Sequence, residues 1–130
     1  NNALFISEDL DEMWDKVRTM MTDPARMRKT DPGEPEKCPV WELHKVFTLD
    51  EEKKQELARE CRVAGIGCID CKKVLMGWIK EKLEPIQEQR RYFEVHGAEM
   101  MDILRDGAKR ASIVASKTME EVKTAVGFVL

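Results

Sequence analysis

The sequence predicts an all-α fold. Apolar residues recur at helical spacing in segment after segment, capping residues stand near the ends of those segments, and no stretch alternates apolar and polar residues as a half-buried strand would. The length of 130 residues suits a single core. A composition of 42% hydrophobic and 36% charged residues fits amphipathic helices packed around it.

The first helix is expected over about residues 8–21. Ser7 is a suitable N-cap, and Glu8, Asp9 and Asp11 put negative charge in the first turn, where the helix dipole favours it. Leu10, Met13, Trp14, Val17, Met20 and Met21 form one stripe, read as packing surface. Residues 22–37, TDPARMRKTDPGEPEK, contain three prolines and a glycine and read as a turn-rich connector and a subdomain boundary. Arg26, Arg28, Lys29 and Lys37 are balanced there by Asp23, Asp31, Glu34 and Glu36.

Pro39 suits the first position of a short helix carrying Val40, Leu43, Val46 and Phe47. Thr48 and Glu51 have the spacing of a capping box for the next helix, which runs to about Cys61. Gly65-Ile66-Gly67 reads as a tight turn. A long helix follows from Ile69, with Cys71, Leu75, Trp78, Ile79, Leu83 and Ile86 on one face, and Pro85 is expected to kink or restart it. A last helix over roughly 98–126 carries Met101, Leu104, Ala108, Ala111, Ala115, Met119, Val122 and Val126, with Gly127 as its C-cap.

Several function classes fall away. No apolar run approaches the length of a membrane span. A net charge of −3 argues against wrapping nucleic acid by bulk charge. The sequence has no G-x-S-x-G, H-E-x-x-H or Walker-type loop. His44 and His96 are isolated and read as surface or interfacial residues. The start, Asn1-Asn2-Ala3-Leu4, lacks an initiator Met and a secretory leader, so the expectation is a piece of a longer cytosolic chain.

Cys38, Cys61, Cys68 and Cys71 are left unexplained by composition. In a reducing compartment two structural disulfides are not expected. The C-x-x-C pair Cys68/Cys71 can bring two thiolates to one centre, but no strand precedes it as a thioredoxin-like pair would require. Zinc sites usually show two tight pairs, whereas one pair plus two single ligands, the first followed by Pro39, is closer to iron–sulfur ligation. Spacing thus favours a four-cysteine metal or cluster site and leaves the metal open.

Charge is unevenly spread. Residues 1–60 carry 10 basic and 15 acidic groups, residues 61–130 carry 12 and 10. Arg59, Arg62, Lys72 and Lys73 surround the cysteines against only Glu60 and Asp70. Such cations either compensate thiolate charge or meet the phosphates and bases of a nucleic acid.

These residues resemble the C-terminal portion of bacterial tryptophanyl-tRNA synthetases, which are class I aminoacyl-tRNA synthetases. The resemblance runs through Asn1-Asn2-Ala3, which is similar to the segment after the family's KMSKS loop, then TDPARMRKTDPGEPEKCPVW, GIGCIDCKK, LEPIQEQRRYF and DGAKRASIVASKTMEEVKTAVGF. It covers essentially the whole chain in order. It implies that residues 1–30 trail a Rossmann-type catalytic domain absent from this chain. Residues 31–130 would then be a helical anticodon-binding region. The cysteine spacing is similar to that of the subset with a [4Fe-4S] cluster, which implies Cys38, Cys61, Cys68 and Cys71 as its ligands. It further implies tRNA(Trp) as partner, with Arg59, Arg62, Lys72 and Lys73 as candidate contacts. ATP and Mg2+ would act in the upstream domain of a cytoplasmic homodimer, with no membrane involved. No residue here is assigned to catalysis, and the chain alone is expected to be inactive. A small helical iron–sulfur electron-transfer or sensor protein, or a zinc-stabilised interaction module, would keep the cysteines without accounting for the sustained match.

Overall fold

Asp9, not Ser7, opens the first helix. In the computed structural model, which describes residues 3–128, Ser7 belongs to a turn closed by Glu8 N–H on the Phe5 carbonyl at 3.0 Å. Asp9 is extended and its carboxylate accepts from Asp11 N–H at 2.8 Å, so α1 spans Leu10–Thr19. Asn1 and Asn2, where the resemblance begins, lie outside the described residues.

The connector then folds back through turns. Asp23, only 5% exposed, accepts from Ala25 N–H at 2.9 Å and Glu34 N–H at 2.7 Å, tying its two ends together. These bonds to the charged carboxylate, first Glu34 and then Ala25, hold its pKa below the ordinary 3.8. A depressed folded-state pKa makes the contribution to stability complete above the unfolded value and lost as pH falls through the folded one. Asp23→Asn is therefore expected to be less stable than the wild type at neutral pH, with the gap closing below about pH 4. Urea midpoints measured across that range check it, and a pH-independent gap would remove the carboxylate charge from the explanation.

A single 3-10 turn, Pro35–Lys37, leads to α2 at Pro39–Phe47, where Cys38 is the N-cap residue and Pro39 takes the first helical position as expected. Asp50 opens α3, Glu51–Arg62, by accepting from Lys53 N–H at 3.0 Å. Thr48 is instead the C-cap residue of α2, buried, with its hydroxyl on the His44 ring. After the glycine turn, α4 runs from Cys68 to Val95, continuing through Pro85 with no restart. Proline there removes one backbone donor at an exposed position, a defect a helix this long carries. α5, Gly97–Ala125, ends where Gly127 takes φ +72°. Gly127 N–H meets Thr124 O and Phe128 N–H meets Lys123 O at the stop, a Schellman-type cap. Among the described residues there is no strand, and no helix is long and apolar enough to cross a membrane.

Two compact units divide after Glu88, within α4 and not in the proline-rich connector. In the first, Met13 and Val17 of α1, Val40 of α2 and Leu75, Ile79 and Leu83 of α4 form the core. Full burial of each large side chain contributes about 2 kcal/mol. In the second unit none of the α5 residues is buried, and Tyr92 stacks on His96 with ring centroids 4.0 Å apart.

Candidate metal centre

Four thiols arrive from three elements. Cys38 stands at the start of α2, Cys61 in the last turn of α3, and Cys68 and Cys71 in the first turn of α4. All four are half-buried and unpaired by disulfide. The connector passes directly beneath them: Gly33 N–H donates to the Cys61 carbonyl at 3.0 Å. A Cβ on Gly33 would come within 2.7 Å of Cys61 Sγ, so only glycine allows that approach.

The thiols are close enough for their charges to act on one another. Burial, and after it the charges of Cys38, Cys61 and Cys68, push the Cys71 thiol up to about 12. Cys61 is raised by burial, with the Arg26 guanidinium opposing the shift and the Cys38 and Cys68 charges adding to it. Both shifts favour the protonated thiol, and a positively charged centre is what would turn Cys61 and Cys71 into thiolate ligands. Among the described residues, no three His, Cys, Asp or Glu side chains close on one point as a single ion needs.

Arg26 is the counter-charge. It is 8% exposed, and its Nη2 donates to the carbonyls of Lys29 at 2.9 Å and Ile66 at 2.8 Å. Its Nη1 lies 3.8 Å from Cys61 Sγ, and its buried Nε has no partner. A buried, partly unsatisfied cation directed at thiols fits a centre that carries net negative charge.

His44 completes the inner side. It is fully buried, with Nδ1 2.8 Å from Thr48 Oγ1 and Nε2 3.3 Å from Cys71 Sγ. Burial pushes its pKa down to about 4, so the ring is neutral at physiological pH. The expectation of a surface histidine is corrected: with Val40, Leu43 and Phe47 it forms the i, i+3, i+4, i+7 face of α2, while Val46 is 64% exposed. His96 is exposed, as expected.

The four cations expected near the cysteines part company. Lys72 is 3% exposed, and its ammonium donates to the carbonyls of Arg18 at 2.8 Å and Met20 at 2.6 Å, at the end of α1. It is a structural tie, which corrects its reading as a candidate tRNA contact. Lys73 is exposed and pairs with Asp70 at 3.6 Å. Arg62 is exposed and pairs with Glu36 of the 3-10 turn, and Arg59 is exposed on α3. Arg28 and Lys29 were hidden by the connector's neutral composition. They join Arg26, Met27, Cys68 and Ile69 around an open cleft of about 340 Å³.

The chain is similar in sequence to known proteins. Residues 1–84 match the family of tRNA synthetases class I (W and Y). The chain belongs to this family. Within it, the chain is 43% identical over 125 residues to a tryptophan–tRNA ligase of Aquifex aeolicus, covering 96% of this chain and 32% of that protein. It is 43% identical over 127 residues to that of Deinococcus radiodurans, covering 98% of this chain and 38% of the relative. For that of Thermotoga maritima the identity is 45% over 115 residues, 88% of this chain and 35% of the relative. The chain thus spans about a third of the length of these class I synthetase relatives.

Proposed function

We propose that this chain is the anticodon-binding part of a tryptophan–tRNA ligase and that Cys38, Cys61, Cys68 and Cys71 hold a [4Fe-4S] cluster. The observation that carries the reading is the convergence of four thiols from three elements beside a cleft walled by Arg26, Arg28 and Lys29. One tight cysteine pair with two single cysteines, the first followed by Pro39, is the spacing that supports a cluster over zinc here. Bound there, the cluster would serve as a structural cross-link and shape the adjoining surface.

RNA anticodons are read as unstacked bases, through side-chain planes and hydrogen bonds, with cations on the phosphates. Exposed Arg59, Arg62 and Lys73, together with Arg28 and Lys29 at the cleft, are the groups suited to that task, and Lys72 is left out because it is buried. In this reading residues 1–30 continue the catalytic domain and 31–130 bind the anticodon. The intact cytoplasmic enzyme, a homodimer, uses ATP and Mg2+ to attach tryptophan to tRNA(Trp) in its catalytic part.

The test uses the 130-residue chain reconstituted anaerobically with iron and sulfide. About four irons and four sulfides per chain are expected. Retention of tRNA(Trp) over a non-cognate tRNA is expected, and Arg28→Ala with Lys29→Ala should weaken it about tenfold or more. Zinc in place of iron and sulfide would overturn the cluster, and equal retention of both tRNAs would overturn the anticodon reading.

A further inference from the structure

The group that faces Cys71 from inside the core has a role that simple packing does not require. His44 is fully buried on α2, and both of its ring nitrogens are engaged: Nε2 at 3.3 Å from Cys71 Sγ and Nδ1 at 2.8 Å from Thr48 Oγ1. A phenylalanine would fill the same space without either contact. Thr48 is itself only 1% exposed and is fixed by its own N–H, which donates to the His44 carbonyl at 3.0 Å. A hydroxyl that donates to Nδ1 leaves the proton of the neutral ring on Nε2, the nitrogen that faces Cys71.

We propose that His44 is a positioning residue for the Cys71 thiolate of the cluster, its Nε2–H donating to Sγ while the Thr48 hydroxyl donates to Nδ1 and fixes that tautomer. The inference rests on the cluster reading above. In the chain Thr48 Oγ1–H to His44 Nδ1, then His44 Nε2–H to Cys71 Sγ, the hydroxyl donates, the neutral ring accepts at one nitrogen and donates at the other, and the thiolate accepts. Its effect follows from electrostatics. A donor to a ligand sulfur stabilises the cluster state with the more negative charge, so it raises the reduction potential and strengthens retention of the metal. Arg26 approaches Cys61 Sγ to 3.8 Å, so two of the four sulfurs have a polar partner, one a cation and one a neutral ring.

The test is an equilibrium redox titration of the reconstituted 130-residue chain, with iron release to a chelator as a second readout. His44→Phe is expected to lower the midpoint potential and to weaken iron retention about tenfold. His44→Gln, whose amide keeps a donor toward sulfur, is expected to stay near the wild type. Thr48→Val leaves the ring in place, removes the tautomer lock and is expected to shift the potential in the same direction as His44→Phe. Should His44→Phe fail to take up a cluster, Thr48→Val decides alone. Loaded His44→Phe and Thr48→Val with wild-type potential and iron release would overturn the inference and leave the cluster reading standing. Wild-type chain that takes up no iron and sulfide would overturn both.

Discussion

Lys72→Met is expected to lower the stability of the chain by about 3 kcal/mol, from the loss of two charge-assisted hydrogen bonds of about 1.5 kcal/mol each. The ammonium closes the C-terminal end of α1, where the carbonyls of Arg18 and Met20 would otherwise face a buried side chain unpaired. Methionine matches the length of the stem and offers no donor. The next residue along α4 supplies the control. Lys73 is exposed and holds Asp70 at 3.6 Å, so Lys73→Met should change stability by less than about 0.5 kcal/mol. Lys72→Arg keeps the charge, yet its planar fork does not reproduce a compact ammonium set between two carbonyls, so it should recover only part of the loss. Urea unfolding of the three variants measures the difference. Equal midpoints for Lys72→Met and Lys73→Met would mean that the ammonium does not hold α1 to α4.

The same pair shows what local sequence conveys. Lys72 and Lys73 are alike by type and neighbourhood, and both were candidate tRNA contacts. What separates them is the 100° step of the helix, which turns one toward α1 and the other away. Placing Lys72 requires knowing that α1 ends beside α4, a contact 52 residues distant in sequence. His44 was more legible. Its i+4 position from Val40 put it on the apolar face of α2, and Val46 one step off that face is exposed. The capping sites were ambiguous for a local reason: Ser7 and Asp9, or Thr48 and Asp50, lie two residues apart and each is a competent cap. The aspartates cap in both cases, in the second because Thr48 already ends α2 with its hydroxyl on the His44 ring. The five helices themselves were readable from period and punctuation, since those signals are local. The connector was not, because a neutral count of charges says nothing about which of them fold onto the same side.

Gly33 makes the connector's contribution measurable. An added Cβ at Gly33 would lie 2.7 Å from Cys61 Sγ and 3.2 Å from Arg26 Cδ, so the surroundings must shift to accept it. Cys61 is bound to Gly33 through its own carbonyl, and Arg26 is held by the carbonyls of Lys29 and Ile66. Gly33→Ala is therefore expected to destabilise by about 1–3 kcal/mol, the range for overpacking a filled site, and Gly33→Val by more. Gly77 gives the opposite sign for the same chemical change. It sits inside α4 with nothing within 4 Å of an added Cβ, so Gly77→Ala should stabilise by about 0.5–1 kcal/mol through helix propensity. Thermal or urea unfolding of the two alanine variants gives the signs directly. The cysteines supply a second readout, because a connector pushed away from Cys61 also carries Arg26 away from its sulfur. Gly33→Ala should then bind less iron on reconstitution at a temperature where it remains folded, whereas Gly77→Ala should load as the wild type does. A Gly33→Ala chain with wild-type stability and full iron content would show that the connector gives way at this point, and that the close approach to Cys61 is not what holds the centre in shape.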